Sequence, residues 1–232
     1  MMNLRKSEER GHFNHGWLKS AHTFSFAGYF DPKHVHFRKL RVINEDKVSP
    51  SQGFPLHSHR DMEIISYIVS GSMEHRDSMG NVEILGPGHV QQMTAGRGIS
   101  HSEYNHSPSD DLHFLQIWVM PERSGLDAGY KIKDFSEAFQ SGTPILLVSP
   151  DENDDALTIN QDLRLYRYQL ESEEKASFNL NPGRHVWIQM VKGCMLLDGV
   201  SLKAGDGAAV SDQTEIHMHG KEKAEFLLFD LA

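Results

Sequence analysis

The sequence predicts an all-β chain built as two similar β-barrel lobes with few short helices. Three observations carry that expectation. Apolar runs are short, rich in β-branched and aromatic residues, and bounded by Gly, Pro, Asn, Asp or Ser, as strands are. Helical periodicity is scarce. The order strand, glycine turn, strand, glycine turn occurs twice, which points to a sandwich or barrel that is repeated.

In chain order, the first strand runs are residues 40–43, 62–69, 82–85 and 112–120. Between them, Ser70-Gly71-Ser72 and Leu85-Gly86-Pro87-Gly88 mark tight turns. Pro121 to Gly129 has loop composition, so a boundary is placed there, giving lobes of residues 1–130 and 131–232. The clearest helix candidate is residues 135–140, with Asp134 as N-cap, Glu137 as in a capping box and Gly142 as the stop. The second lobe then offers strands at 145–148, 163–170, 186–191, 195–200 and 224–231, with turns at Lys192-Gly193 and Ala204-Gly205.

Composition narrows the function. A hydrophobic fraction of 38% with no apolar run near the roughly 20 residues of a membrane span predicts a soluble protein. The first residues pass directly into charged side chains without an apolar stretch, so no secretory signal is expected. A single cysteine, Cys194, excludes an internal disulfide and makes the reducing cytoplasm the expected compartment. A formal charge of −9 argues against direct nucleic-acid binding, which is driven by Lys and Arg displacing counterions from phosphates. A monomer is the default expectation.

The 15 histidines point to metal chemistry, because imidazole is the commonest protein metal ligand. His-x-His should occur by chance about once in a chain of this composition, yet it occurs three times, at His34/His36, His57/His59 and His217/His219. In a strand, residues i and i+2 share a face, so His57 and His59 aim together, and so do His101 and Glu103. Both pairs sit beside turns, after Gly53-Phe54-Pro55 and after Gly96-Arg97-Gly98. If the two strands face one interior, four ligands converge on one divalent ion. Glu63, four residues after His59, competes for the carboxylate role, and His75, His106 and His113 are candidates to line or tune the pocket. His34/His36 follows the turn sequence Asp31-Pro32-Lys33 and reads as a loop at the rim. His217/His219 reads as a polar strand end, with a second metal site as the alternative.

Three imidazoles and a carboxylate suit Fe(II), Mn(II), Ni(II), Cu(II) or Zn(II). With one carboxylate the loaded site carries about one positive charge, which attracts an enolate or phenolate oxygen and lowers its pKa.

These residues fall within motifs that resemble the pirin family of bicupins. The resemblance runs through Glu9-Arg10-Gly11-His12, His15-Gly16-Trp17-Leu18, His22 to Ala27, Gly53 to Glu63, Glu74 to Asn81 and Thr94 to Asn105. It implies two cupin (jelly-roll) barrels. It also implies a single metal, usually iron, held by His57, His59, His101 and Glu103, which favours Glu103 over Glu63. The second half resembles a degenerate cupin without a metal. The implied activity is that of a quercetin 2,3-dioxygenase, opening the central ring of a flavonol with O₂ and releasing carbon monoxide, with Glu103 as general base. Phe24, Phe26 and Phe54 are candidates to line the entrance for this flat aromatic substrate, or else to form core. The family also implies a function of another class, a metal- or redox-responsive regulator that a partner protein reads.

Overall fold

A computed structural model of the chain describes all of residues 1–232. It contains 22 strands and two single 3₁₀ turns, Ser7–Glu9 and Ser136–Ala138. Contacts divide it into two compact units. One comprises Gly11–Ser136 with Ile159–Gln161, and the other Met1–Arg10, Glu137–Thr158 and Asp162–Ala232.

The chain opens with β1 (Met2–Arg5), which belongs to the second unit. The first unit follows as β2 (Gly11–Asn14), β3 (Leu18–His22), β4 (Leu40–Val48), β5 (Gly53–His59), β6 (Glu63–Ser70) and β7 (Met73–Asp77). It continues through β8 (Val82–Leu85), β9 (His89–Thr94), β10 (Ile99–Asn105), β11 (Leu112–Val119) and β12 (Gly129–Asp134). Its strands form a seven-stranded sheet, β12-β9-β6-β11-β4-β3-β2, and a four-stranded sheet, β5-β10-β7-β8.

The second unit adds β13 (Ile145–Ser149), β14 (Leu157–Thr158), β15 (Leu163–Leu170), β16 (Lys175–Asn179), β17 (His185–Lys192) and β18 (Cys194–Leu197). It ends with β19 (Val200–Lys203), β20 (Gly207–Val210), β21 (Glu215–Gly220) and β22 (Ala224–Leu231). Again there are seven strands, β1-β20-β17-β22-β15-β13-β14, and four, β16-β21-β18-β19. Each unit is thus the two-sheet jelly roll of a cupin, all-β as expected, with open sheets rather than a fully closed barrel.

Two local expectations are corrected. The helix expected at residues 135–140 is only the 3₁₀ turn Ser136–Ala138, because so short a segment cannot repay the cost of helix nucleation. Asp134 does act at its start, its Oδ1 accepting the Ser136 amide at 2.8 Å. The run 195–200 is not one strand but the hairpin β18–β19. Asp198 (φ 48°) and Gly199 (φ 83°) form its two-residue turn, which requires two left-handed residues.

Burial locates the cores. The second unit has one continuous apolar cluster that draws on both its sheets, including Ile188, Met195, Ile216, Met218, Phe226 and Leu228. In the first unit, one cluster gathers Leu18, Val48, Ile68, Met73, Leu85, Leu112 and Phe114, and another gathers Ile64, Met93, Ala95 and Ile99. No helix of the chain is long and apolar enough to cross a membrane.

Candidate metal centre

Strand pairing brings the sequence-predicted ligands together. β5 and β10 are antiparallel neighbours with His57 opposite His101 and His59 opposite Ile99, and a bulge after His101 sets Glu103 opposite Phe54. On its other edge β10 pairs with β7, placing His75 beside Glu103. Gly53 is needed for this pairing, since a Cβ there would lie 2.3 Å from the Glu103 carbonyl oxygen.

The rings of His57, His59 and His101 pack with centroids 4.4 to 4.9 Å apart. Candidate ligand atoms of these three lie within 4.8 Å of one another, and so do those of His75, His101 and Glu103. His101 belongs to both groups. Glu63 belongs to neither. It is fully buried at the start of β6, where its carboxylate accepts from Gln92 Nε2 (2.6 Å), Thr94 Oγ1 (3.0 Å) and Asn160 Nδ2 (3.2 Å). Burial raises its pKa against the pull of those hydrogen bonds.

The donors suit a cation. Nδ1 of His57 lies 2.8 Å from the Pro55 carbonyl, which can only accept, so Nδ1 carries the proton and Nε2 keeps its lone pair. Burial first, then the neighbouring His101 and His57, push His59 down to about 4. Burial, then His57 and His75, push His101 down to about 3. Both are therefore neutral at pH 7, the form a metal requires. His59 Nε2 and His101 Nε2 are 3.0 Å apart. That matches the spacing of about 3 Å between two nitrogens that each bind one ion at roughly 2.1 Å and a right angle.

Glu103 hangs from β10 toward the seven-stranded sheet, 2% exposed. Gln116 Nε2 donates to its Oε2 at 2.9 Å and its Oε1 at 3.1 Å, and Ser66 Oγ lies 3.3 Å from Oε1. Gln116 and Ser66 belong to a polar row crossing the sheet at one level, with Asn44 opposite Gln116, Gln116 opposite Ser66 and Ser66 opposite Gln91.

Beside the histidines lies a cavity of about 400 Å³, lined by Phe26, Phe54, Leu56 and Trp118, with Asn44, Asp46, Gln116, His57, His59 and Glu103 supplying its polar wall. Of the three phenylalanines considered for the entrance, Phe26 and Phe54 line this cavity, whereas Phe24 is buried core. Gln116, Ser66, Asn44 and Trp118 escaped the sequence reading. The available signal was a polar residue at a buried phase of an apolar strand, as Gln116 is within Leu112–Val119.

The remaining histidines lie elsewhere. His34 pairs with Asp31 in its turn, His106 with Glu74 on the surface, and His113 with Glu45. His217 and His219 stand on the outward face of β21, where His219 meets Glu173. His75 alone of the three tuning candidates reaches the site.

Residues 3–119 match the family model described as Pirin, and residues 146–231 match the one described as Quercetinase C-terminal cupin domain. The chain belongs to the pirin family. It is 48% identical over 231 residues to a quercetin 2,3-dioxygenase of Escherichia coli strain K12, with 100% of this chain and 99% of that one covered. It is 38% identical over 233 residues to a pirin-like protein of Caulobacter vibrioides, covering 100% of both. Among solved structures, the crystal structure of a bacterial pirin from Escherichia coli in complex with nickel(II) superposes with a TM-score of 0.95 at 46% identity. That match covers 100% of this chain and 99% of the other. The first unit is therefore a pirin-type cupin with a candidate site for a single metal ion.

Proposed function

We propose that this pirin is a metal-dependent dioxygenase that opens the central ring of quercetin-like flavonols with O₂, working in the cytoplasm. The metal is held by His57, His59, His101 and Glu103, and iron(II) is the expected ion. The N-terminal domain, residues 1–130, does the chemistry, and the C-terminal domain, 131–232, is a degenerate cupin without a metal. The observation that carries this reading is the convergence of the His57, His59 and His101 imidazoles beside an aromatic-lined cavity whose wall also holds the buried Glu103 carboxylate. The names of the similar proteins support the substrate class, and the nickel(II) complex of the Escherichia coli pirin supports a first-row divalent ion.

A bound divalent ion supplies Lewis acidity toward an oxygen ligand and a centre for O₂. The protein's own residues do the rest. Glu103 accepts the proton of the flavonol 3-hydroxyl, since a carboxylate has lone-pair sites beyond those taken by Gln116 and Ser66. Gln116 and Ser66 hold that carboxylate in one orientation. Phe26, Phe54, Leu56 and Trp118 exclude water and offer faces to a planar ring system. Asn44 Oδ1 and Trp118 Nε1, both in the cavity wall, have no partner within the protein, and a hydroxylated aromatic gives them one.

The test is metal analysis of protein purified without added metal, followed by quercetin consumption under air read from its visible absorbance. Wild type and Glu63→Gln should turn over, and His57→Ala and Glu103→Gln should not. Absence of turnover in fully loaded wild type would overturn the dioxygenase assignment and favour the regulatory reading.

A further inference from the structure

His75 and Asp77 form a buried pair that the proposed chemistry does not use. Both side chains are wholly inaccessible, and His75 Nε2 lies 3.2 Å from Asp77 Oδ2. Asp77 opens the turn that joins β7 to β8, and it is saturated with donors. The Met79 and Asn81 amides reach its Oδ1 at 2.9 and 3.1 Å, and Asn81 Nδ2 reaches its Oδ2 at 2.8 Å. A carboxylate so surrounded is an acceptor only, which assigns the proton on His75 to Nε2. Nδ1 of His75 is then the acceptor. It faces His101 Nδ1 at 3.5 Å, so the proton between them sits on His101, and His101 Nε2 is left bare toward His59.

From this geometry we infer that the Asp77–His75 pair is a positioning device for the metal. Through the ring of His101 it selects the tautomer that presents Nε2, fixes the ring's orientation, and makes that nitrogen a stronger donor. Tyr130 completes the clamp, stacking on His75 with ring centroids 4.6 Å apart and planes 20° apart. Carboxylate partners behind a ligating imidazole have this effect generally, and losing them typically weakens metal affinity by about 10- to 100-fold. Here the carboxylate acts at one remove, with a second imidazole as the relay. None of the strands in the second unit offers an equivalent, since β18, which takes the place of β7 in the sheet order, buries Met195 and Leu197.

This inference rests on the metal reading above but not on the substrate, so its test uses nickel(II) alone. Affinity is measured by competition with a chromophoric chelator, and folding of each variant is checked by circular dichroism and thermal melting. His75→Phe keeps the stack on Tyr130 but can neither donate nor accept. Its affinity should fall by about 10- to 100-fold. His75→Gln restores both roles, with an amide donor toward Asp77 and an amide oxygen toward His101, and should recover most of the loss. Asp77→Asn removes the charge and should fall between the two. On iron-loaded protein the reduction potential should move in the same rank order, which a merely structural role would not produce. Wild-type affinity in folded His75→Phe overturns the proposal, as does a His75→Gln variant no better than His75→Phe. If His75→Phe does not fold, the comparison of His75→Gln and Asp77→Asn with wild type decides by the same ranking. Wild type that binds no nickel(II) overturns the metal reading itself, whereas absent flavonol turnover leaves this inference untouched.

Discussion

The two units use one strand order for opposite interiors. Across the large sheet of the first unit, Asn44, Gln116, Ser66 and Gln91 stand opposite one another on β4, β11, β6 and β9. On the strands that hold the same places in the second unit, β15, β22, β17 and β20, the matching row is Tyr166, Leu228, Ile188 and Ala208. Ser66 and Ile188 are each the fourth residue of their strand, and Gln116 and Leu228 each the fifth. The small sheets differ likewise. β10 buries His101 and Glu103, while β21 buries Ile216 and Met218 and turns His217 and His219 outward. An i, i+2 pair of candidate ligands on corresponding strands thus has opposite consequences, because a one-residue change of phase sends every side chain to the other face. What distinguishes a site from a core in this chain is a polar row continuous from one sheet to the other.

The largest effect expected from that difference is loss of the metal. His101→Ala should abolish stoichiometric metal and flavonol turnover, a loss beyond the roughly 100-fold that changes behind the ligands produce. The double variant His217→Ala/His219→Ala should leave both unchanged. Metal content of the two purified proteins, measured side by side, decides it. Equal losses in both would mean that the outward face of β21 takes part in metal binding and that the contrast is wrong.

Next in size is the apolar side of the comparison. Phe226 is fully buried and stacks on Tyr168 with parallel rings 5.1 Å apart. Phe226→Ala should cost about 3–5 kcal/mol in chemical denaturation, while nickel(II) affinity of the folded fraction stays that of wild type. A matching loss of affinity would show that the second core supports the site rather than standing apart from it.

Much of this was legible in the sequence, for reasons that can be named. Strands 163–170 and 224–231 were read to the residue, because their buried positions, Arg167 apart, are apolar and polar residues precede them. Strands β5 and β10, which carry the candidate ligands, are too polar to read by hydrophobicity, and they emerged only through the i, i+2 spacing of His57/His59 and His101/Glu103. Strands β16 and β21, equally polar on one face, escaped. The hairpin turn at Asp198-Gly199 carried its own signal, an Asp-Gly pair, which the surrounding apolar residues masked. Gln116, Ser66 and Asn44 could not be assigned from local sequence at all. Gln116 and Ser66 are polar residues within largely apolar strands and Asn44 opens the polar run Asn44-Glu45-Asp46-Lys47, and they acquire meaning only when pairing over long separations lines the three up beneath Glu103.

The smallest effect concerns Glu63, the carboxylate that loses its place at the metal groups to Glu103. It pairs with the last residue of β11, Val119, as His185 at the start of β17 pairs with the last residue of β22, Leu231. Burial raises the folded pKa of Glu63 above its ordinary value of 4.5, with hydrogen bonds from Asn160, Thr94 and Gln92 opposing but not cancelling that shift. The folded state therefore holds the Glu63 proton more tightly than the unfolded state does. Below pH 4.5 the group favours folding in full, and this contribution declines as pH rises through the folded pKa, because the unfolded chain then ionises more readily. Glu63→Gln removes the titration while keeping the side chain's size. The stability difference between wild type and Glu63→Gln, measured by urea denaturation from pH 4.5 upward, should shift toward the variant as pH increases and then level off. Metal affinity should remain that of wild type throughout. Parallel stability curves would show that Glu63 is no more protonated in the fold than in water, and lost metal would return it to the coordination sphere.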